Sequence, residues 1–185
     1  MAGTAHSWRV ARWSAAALVL LLPLIAMQFT DEVDWGIEDF TIFGIMLATA
    51  GGAFELMLRA SGNLAYRAGA VVAISAAFLL IWANLAVGVI GDEGNPANLM
   101  YAGVLAIAIT GAYTAALRAE GMARAMVATG LAQALVTAIA MSLGLGLPAS
   151  PALEIFAVNA VFIAMWAGAA WLFRMAGRER EVVGA

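Results

Sequence analysis

The stretch AGAVVAISAAFLLIWANLAVGVI, residues Ala68–Ile90, contains no charged side chain. As a helix it would rise by about 1.5 Å per residue, enough to cross the roughly 30 Å hydrocarbon core of a bilayer. The rest of the chain is similar in character: of its 185 residues, 64% are hydrophobic and 11% charged. Soluble domains are about half apolar and a quarter charged. The sequence therefore predicts an integral membrane protein.

Five further apolar runs accompany this one, and the first of them is short and contains Pro23. The six predicted spans lie near Ser14–Phe29, Phe40–Arg59, Ala68–Ile90, Leu99–Leu117, Ala125–Leu147 and Leu153–Phe173. We expect an all-α membrane protein whose six transmembrane helices form one compact bundle, residues 14–174. Residues 1–13 and 175–185 would be an N-terminal and a C-terminal tail.

The basic residues set the expected orientation of the spans. All of them are arginines: Arg9, Arg12, Arg59, Arg67, Arg118, Arg124, Arg174, Arg178 and Arg180. They fall before span one, between spans two and three, between spans four and five, and after span six. Because loops rich in arginine stay on the cytoplasmic side, both termini are predicted to be cytoplasmic. The acids Asp31, Glu32, Asp34, Glu38, Asp39, Asp92, Glu93 and Glu154 fall on the opposite side.

The first span has a second interpretation. Arg9 and Arg12 followed by AAALVLLLPLIA would suit a cleaved signal peptide. The following LIAMQFTDE lacks a small-x-small cleavage site, so we expect the segment to be retained. Cleavage would leave five spans.

Two stretches of the chain resemble each other, GAFELMLRASG from Gly52 and GAYTAALRAEG from Gly111, and the pattern favours three repeated helical hairpins. The alternative is convergence, since arginine anchors the inner interface and glycine closes helices. Two helix starts are also predicted, with Asn95 and Ser150 as N-caps, each followed by a proline at the first helical position.

Small residues four apart mark two predicted packing seams. One is on span two and the other on span six: Gly44, Ala48 and Gly52; Ala160, Ala164 and Gly168. Small side chains let helix backbones approach closely in lipid. Each seam could face the interior of the bundle or a partner.

Glu55 is a carboxylate inside an apolar run, and Arg59 stands one helical turn later. An i,i+4 ion pair is one interpretation. A proton or cation role is the other, because acids within membranes are costly and often functional. Three amide side chains within other spans, those of Asn84, Gln133 and Asn159, could join Glu55 in a polar site, or hydrogen-bond between helices.

Several kinds of chemistry are disfavoured by composition. The chain has no cysteine and one histidine, His6, which lies in the N-terminal tail. Thiolate sites and haem ligation by two histidines within the membrane are therefore excluded for this chain alone. The acidic segment TDEVDWGIEDF lacks the spacing of a calcium loop. We predict no metal, no cofactor, no enzymatic activity and no nucleic-acid partner.

FTDEVDW, from Phe29 to Trp35, and NLAVGVIGDEGNPANLMY, from Asn84 to Tyr101, carry a resemblance. They resemble an uncharacterised family of small polytopic proteins of the bacterial inner membrane, over about Phe29 to Arg174. The resemblance implies a multi-pass protein of that membrane. No activity is attached to the family, so no functional residue is carried over.

Two functions remain open from the sequence. The first is a non-catalytic accessory or assembly subunit, whose partners are the lipid bilayer and either other membrane subunits or further copies of itself. The second is a small proton- or cation-coupled transporter or channel that uses Glu55.

Overall fold

The structure, a computed structural model, describes the backbone of residues 2–30 and 33–184 and the side chains of residues 10, 13–30 and 33–179. Over these residues the chain is all-helical, with six α-helices and no strand, so the all-α prediction is confirmed. The helices are α1 (Ala2–Ala26), α2 (Ile37–Ala60), α3 (Leu64–Ala86), α4 (Met100–Thr114), α5 (Ala119–Ser142) and α6 (Ala152–Gly184), and a 3-10 turn at Pro96–Leu99 leads into α4.

Five of these helices are long and apolar enough to cross a membrane, judged by length and composition. They are Ile37–Ala60, Leu64–Ala86, Pro96–Thr114, Ala119–Ser142 and Ala152–Glu179. The apolar part of α1, Trp13–Ala26, is shorter, and Pro23 lies within it. The fold therefore fits a multi-pass membrane protein, and a sixth span at α1 stays a prediction.

The chain divides into two compact units, Met1–Leu56 and Met57–Ala185, called here the first and second units. The first unit holds α1 and most of α2. The second unit holds α3 to α6, in which α6 packs against both α5 and α3, and α4 packs against α5.

Within the first unit, glycines on α2 face side chains of α1. A Cβ atom added at Gly44 would lie 3.8 Å from a methyl group of Leu20. One added at Gly51 would lie 3.4 Å from the ring of Trp13. The two helices are therefore in contact along this face.

The second unit has a core of aromatic and aliphatic side chains along α3 and α6. Tyr66 is 1% exposed, packs edge-on against Phe173 with ring centroids 5.1 Å apart, and donates a hydrogen bond to the carbonyl oxygen of Leu117. Gly69 permits the close approach of α3, because a Cβ atom there would lie 3.3 Å from the Phe173 ring. These contacts fix α3 on α6 near the arginine-bearing ends of both helices.

Four predicted spans extend beyond the ends of the helices that form, the first and fourth by three residues each, the third by four and the fifth by five. The third was predicted to run to Ile90, but α3 ends at Ala86, because Gly88 has a φ of +73°. The following Val89 and Ile90 are buried in a loop, where their N–H groups donate to the side-chain oxygen of Asn98. Similarly, α5 covers Ala119–Ser142 rather than Ala125–Leu147.

The predicted helix starts also have distinct outcomes. Asn95 is the N-cap of the 3-10 turn, as predicted: its side-chain oxygen accepts from the N–H of Ala97 at 2.9 Å, and Pro96 is the first residue of that turn. The Ser150 hydroxyl instead donates to the carbonyl oxygen of Gly91, 3.2 Å away, and α6 begins at Ala152.

The two copies of the predicted repeat differ in local structure. Arg59 lies inside α2, which continues to Ala60, whereas its counterpart Arg118 is the N-cap of α5. Before Arg118 the backbone of Ala116 and Leu117 is left-handed, with φ of 46° and 57°. The repeat of hairpins is thus not confirmed, and it stays a sequence hypothesis.

The two predicted tails contain helix. The first helix begins at Ala2, within predicted tail 1–13, and α6 runs to Gly184, through most of predicted tail 175–185. Six residues used in the sequence predictions have side chains outside the described part of the structure: His6, Arg9, Arg12, Asp31, Glu32 and Arg180.

Candidate functional site

Three helices of the second unit meet at a buried cluster of polar side chains, the Tyr101–Gln133–Asn159 cluster. Asn159 on α6 is its centre. The Asn159 side-chain oxygen accepts from Nε2 of Gln133 on α5 at 2.7 Å, and from the hydroxyl of Tyr101 on α4 at 3.0 Å. The cluster therefore joins α4, α5 and α6 through side chains alone.

The orientation of every amide in the cluster follows from one backbone group. Nδ2 of Asn159 donates to the carbonyl oxygen of Ile155 at 2.8 Å. A carbonyl can only accept, so the side-chain oxygen of Asn159 must point toward Tyr101 and Gln133. Gln133 must then present its NH2 group to Asn159, and its own oxygen, Oε1, points elsewhere.

All three side chains of the cluster are buried, and two of them lie well inside their helices, whereas Tyr101 is the second residue of α4. Gln133 and Asn159 have no exposed surface, and Tyr101 is 2% exposed. Gln133 stands nine residues before the end of α5 at Ser142, and Asn159 seven residues after the start of α6 at Ala152. At about 1.5 Å per residue, both are about 10–14 Å inside those helix ends. Such buried bonds between helices stabilise membrane proteins by about 1 kcal/mol each.

Among the buried polar atoms of the second unit that have no hydrogen-bond partner within the described residues, two lie on α5 and α6: Oε1 of Gln133 and Nε1 of Trp166. Trp166 is 1% exposed and lies on α6, two turns beyond Asn159. Its Cβ atom would be 3.4 Å from a Cβ added at Gly130 of α5, so Trp166 and Gln133 both occupy the contact between α5 and α6. One atom is a buried acceptor and the other a buried donor.

Of the predicted polar site, the structure brings together Gln133 and Asn159. Asn84 on α3 donates from Nδ2 to the carbonyl oxygen of Leu80 on its own helix, at 2.7 Å. The Asn84 side-chain oxygen is buried with no hydrogen-bond partner among the described residues. No bond of Asn84 to the cluster is formed.

Glu55 belongs to the first unit and has a partner that the sequence did not suggest. Its Oε1 accepts from Nε1 of Trp13, at 3.1 Å. Trp13 lies on α1 and Glu55 on α2, so this bond joins the two helices. Arg59 is exposed and lies beyond the first unit as the chain divides. Glu55 thus has a role in holding α1, whichever other group it also contacts.

Tyr101 is the member of the cluster that sequence reasoning missed. Tyr101 lies near the start of the predicted span Leu99–Leu117, where an aromatic side chain is expected to be an anchor at the membrane interface. A tyrosine buried in an apolar region usually finds a partner for its hydroxyl group. That rule predicts a polar neighbour for a buried Tyr101, but burial itself is not visible in the sequence.

The predicted seam on α6 faces away from the core of the second unit. Successive helical residues turn by about 100°, which puts Ala160, Ala164 and Gly168 about half a turn from the buried Asn159, Phe162, Trp166 and Phe173. Ala164 is exposed, and a Cβ atom added at Gly168 would meet nothing within 4 Å.

The seam on α2 is divided. Gly44 faces Leu20 of α1, whereas Ala48 is exposed and a Cβ atom at Gly52 would meet nothing within 4 Å. It is Gly51, not Gly52, that contacts Trp13. The helix pair thus uses Gly44 and Gly51, seven residues apart, and leaves the rest of the stripe uncovered.

Polar side chains also tie together two loops of the second unit at the ends of α3 and α5. Nδ2 of Asn95 donates to the carbonyl oxygen of Leu145 at 2.8 Å, and the Ser150 hydroxyl reaches Gly91. Asn98 holds the 87–98 loop together, since its Nδ2 also donates to the carbonyl oxygen of Asp92. The segment NLAVGVIGDEGNPANLMY, Asn84–Tyr101, therefore contains an ordered loop between α3 and the 3-10 turn, held by side-chain hydrogen bonds.

No group of three or more His, Cys, Asp or Glu side chains that could hold a metal ion occurs among the side chains described. Comparison with known proteins gives no relative, since no family model, no curated protein and no solved structure matches the chain.

Proposed function

We propose that this protein is a non-catalytic integral membrane subunit, which packs against other subunits of a larger complex and assists its assembly. Its place would be a bacterial inner membrane, crossed several times, with both termini in the cytoplasm. The observation that carries the proposal is the small-residue stripe of α6, Ala160, Ala164 and Gly168, which points away from the core of the second unit.

Of this stripe, Ala164 is exposed and Ala160 and Gly168 are half-buried, which matters because of how helices associate in lipid. Lipid tails are as apolar as leucine, so helix association depends on close packing, and small residues permit it. A stripe used inside the bundle would be covered by a neighbouring helix. Here Ala164 is exposed and a side chain at Gly168 has room, which supports a surface for a partner helix.

The second support is the use made of the polar side chains. A transport pathway needs polar groups that a solute can reach. Gln133 and Asn159 have no exposed surface and are bonded to each other. This favours a structural role for them over a pathway.

The alternative, a proton- or cation-coupled transporter that uses Glu55, has less support. The Glu55 carboxylate accepts a hydrogen bond from Trp13, which gives the acid a task in joining α1 to α2. Flux into proteoliposomes that disappears in Glu55→Gln, with assembly intact, would favour transport over the subunit role.

The test is purification of the tagged protein from its native membrane in mild detergent, with the mass of the complex and its composition determined. We expect a stoichiometric partner with the wild type. In Ala164→Leu the partner should be lost while the protein itself remains folded, because the added bulk blocks the approach of a second helix.

Ala128→Leu is the matched control, since Ala128 is an exposed alanine on α5, outside both seams. This variant should keep its partner. Retention of the partner in Ala164→Leu would contradict the proposed surface, and a wild-type protein without any stoichiometric partner would contradict the proposed function.

A further inference from the structure

The interior of the second unit contains a donor and an acceptor that the protein itself does not satisfy. Gln133 has no exposed surface and Trp166 is 1% exposed, yet Oε1 of the first and Nε1 of the second have no hydrogen-bond partner among the described residues. A buried polar group without a partner is costly, and hydrocarbon around the helices offers no water to relieve that cost.

Rotation of the amide groups does not remove the problem. Exchanging the oxygen and nitrogen of Gln133 would aim an oxygen at the Asn159 oxygen, which already accepts from Tyr101. Exchanging those of Asn159 would set its oxygen against the carbonyl oxygen of Ile155. The Ile155 carbonyl therefore fixes Gln133 Oε1 as an acceptor that points away from the cluster.

Trp166 supplies the complementary group on the facing helix. The indole N–H can only donate, and the contact with Gly130 places Trp166 one turn of α5 from Gln133. A water molecule can accept from an indole N–H and donate to an amide oxygen at once. Buried waters typically make about three hydrogen bonds to groups of this kind.

We propose that a single long-lived water molecule binds between α5 and α6, where it accepts from Nε1 of Trp166 and donates to Oε1 of Gln133. The site selects a small neutral molecule that both donates and accepts. A cation is disfavoured by the indole donor, and no carboxylate belongs to the cluster. The water would extend the Tyr101–Gln133–Asn159 cluster toward the middle of α6.

The experiment is NMR of the full chain in lipid nanodiscs with 15N-labelled tryptophan. Trp166→Phe identifies the indole signal among the six tryptophans. We expect the Trp166 indole N–H to show a cross-relaxation peak with water. Because a long-lived bound water tumbles with the protein, this peak should have the sign of a peak between two protons of the protein. Trp171, on the same helix and 61% exposed, serves as the internal reference.

Variants separate the bound water from other sources of the peak. Gln133→Leu should abolish the peak or reduce it several-fold, because the water loses its acceptor. Thr129→Val should leave the peak unchanged, since Thr129 is buried but its hydroxyl donates to Ala125 of its own helix. If the water peak at the Trp166 indole persists in Tyr101→Phe, the peak does not arise through the phenolic proton of Tyr101.

The wild-type spectrum alone can overturn the proposal, even if Gln133→Leu fails to fold. Absence of a water peak at the Trp166 indole would refute it. A direct hydrogen bond from Trp166 to Gln133, seen as a chemical-shift change in Gln133 on Trp166→Phe without any water peak, would refute it as well.

Discussion

At the scale of single residues, Asn159 is the side chain through which α4, α5 and α6 are hydrogen-bonded together. Its side-chain oxygen accepts from two helices, and its NH2 group is fixed by the Ile155 carbonyl. Replacing a residue that accepts from two buried donors should lower the free energy of unfolding more than replacing either donor. The reason is that its loss leaves both of them desolvated and unpaired.

Asn159→Leu is therefore expected to lower the free energy of unfolding by about 1–3 kcal/mol. The triple variant Tyr101→Phe, Gln133→Leu, Asn159→Leu should be less destabilised than Asn159→Leu alone, because it removes the stranded donors too. Reversible unfolding in mixed detergent and SDS micelles measures both. A triple variant that is the least stable of the set would contradict this account.

Glu55 allows a second prediction at this scale. Trp13→Phe removes the indole donor, whereas Glu55→Gln keeps a side-chain oxygen that can accept. We expect Trp13→Phe to loosen α1 and Glu55→Gln to retain most of its attachment. Limited proteolysis of α1 in nanodiscs measures the difference, and equal loosening in both would show that the charge of Glu55 matters more than its bond to Trp13.

At the scale of elements, glycines decide where helices end and how closely they pack. Gly88 ends the stretch that begins at Ala68, because its φ of +73° is left-handed and a side chain there would collide with the carbonyl group of Asp92. Gly69 works inside α3, where it brings the helix against Phe173. Gly88 therefore determines where a helix ends, and Gly69 determines how closely two helices pack.

Gly88→Ala should lower the midpoint of thermal unfolding, because the left-handed conformation alone costs about 1–2 kcal/mol for a residue with a Cβ atom. Gly94→Ala in the same loop is the control, since its Cβ atom would meet Asp92 at 3.6 Å, an ordinary contact. A thermal-shift assay in detergent compares them. Equal midpoints would mean that the loop rearranges freely.

Gly69→Leu should destabilise the packing of α3 on α6, since overpacking typically costs about 1–3 kcal/mol. Gly103→Leu on α4 is matched to it, because a Cβ atom there would meet nothing within 4 Å. Unfolding in mixed micelles should show a lower free energy of unfolding for Gly69→Leu and little change for Gly103→Leu. If Gly103→Leu were the more destabilised of the two variants, the contact of Gly69 with Phe173 would not belong to the core of the second unit.

At the scale of the whole molecule, the number of membrane crossings depends on α1. Five helices meet the requirements of length and composition, and the apolar part of α1, about 21 Å as a helix, is shorter. The six arginines whose side chains are described are all exposed, as residues that anchor an interface must be. The charge pattern still predicts that α1 crosses.

Because the chain has no cysteine, single cysteines can report its orientation. In intact cells, an impermeant maleimide should label Glu93→Cys and leave Glu120→Cys and Thr4→Cys unlabelled. Labelling of Thr4→Cys would show that α1 does not cross, and a mature protein that lacks residue 4 would show that the segment is cleaved. Labelling of Glu120→Cys would reverse the predicted orientation.

The sequence by itself determined the class of the protein, because a long uncharged run such as Ala68–Ala86 can satisfy its backbone in lipid only as a helix. It also identified Asn95 as a helix cap, since that signal is local. Helix ends that depend on a single glycine conformation, as at Gly88, were missed because hydrophobicity continues past them into Val89 and Ile90.

Only the tertiary structure decided which faces of the helices are covered. Lipid and protein interior are equally apolar, so hydrophobicity cannot distinguish the buried Phe162 of α6 from the exposed Val161. For the same reason the sequence could not pair Gln133 with Asn159 and Tyr101, which are far apart along the chain and meet through packing. Composition determined that these helices belong in a membrane, and contacts between distant residues determined what each helix does there.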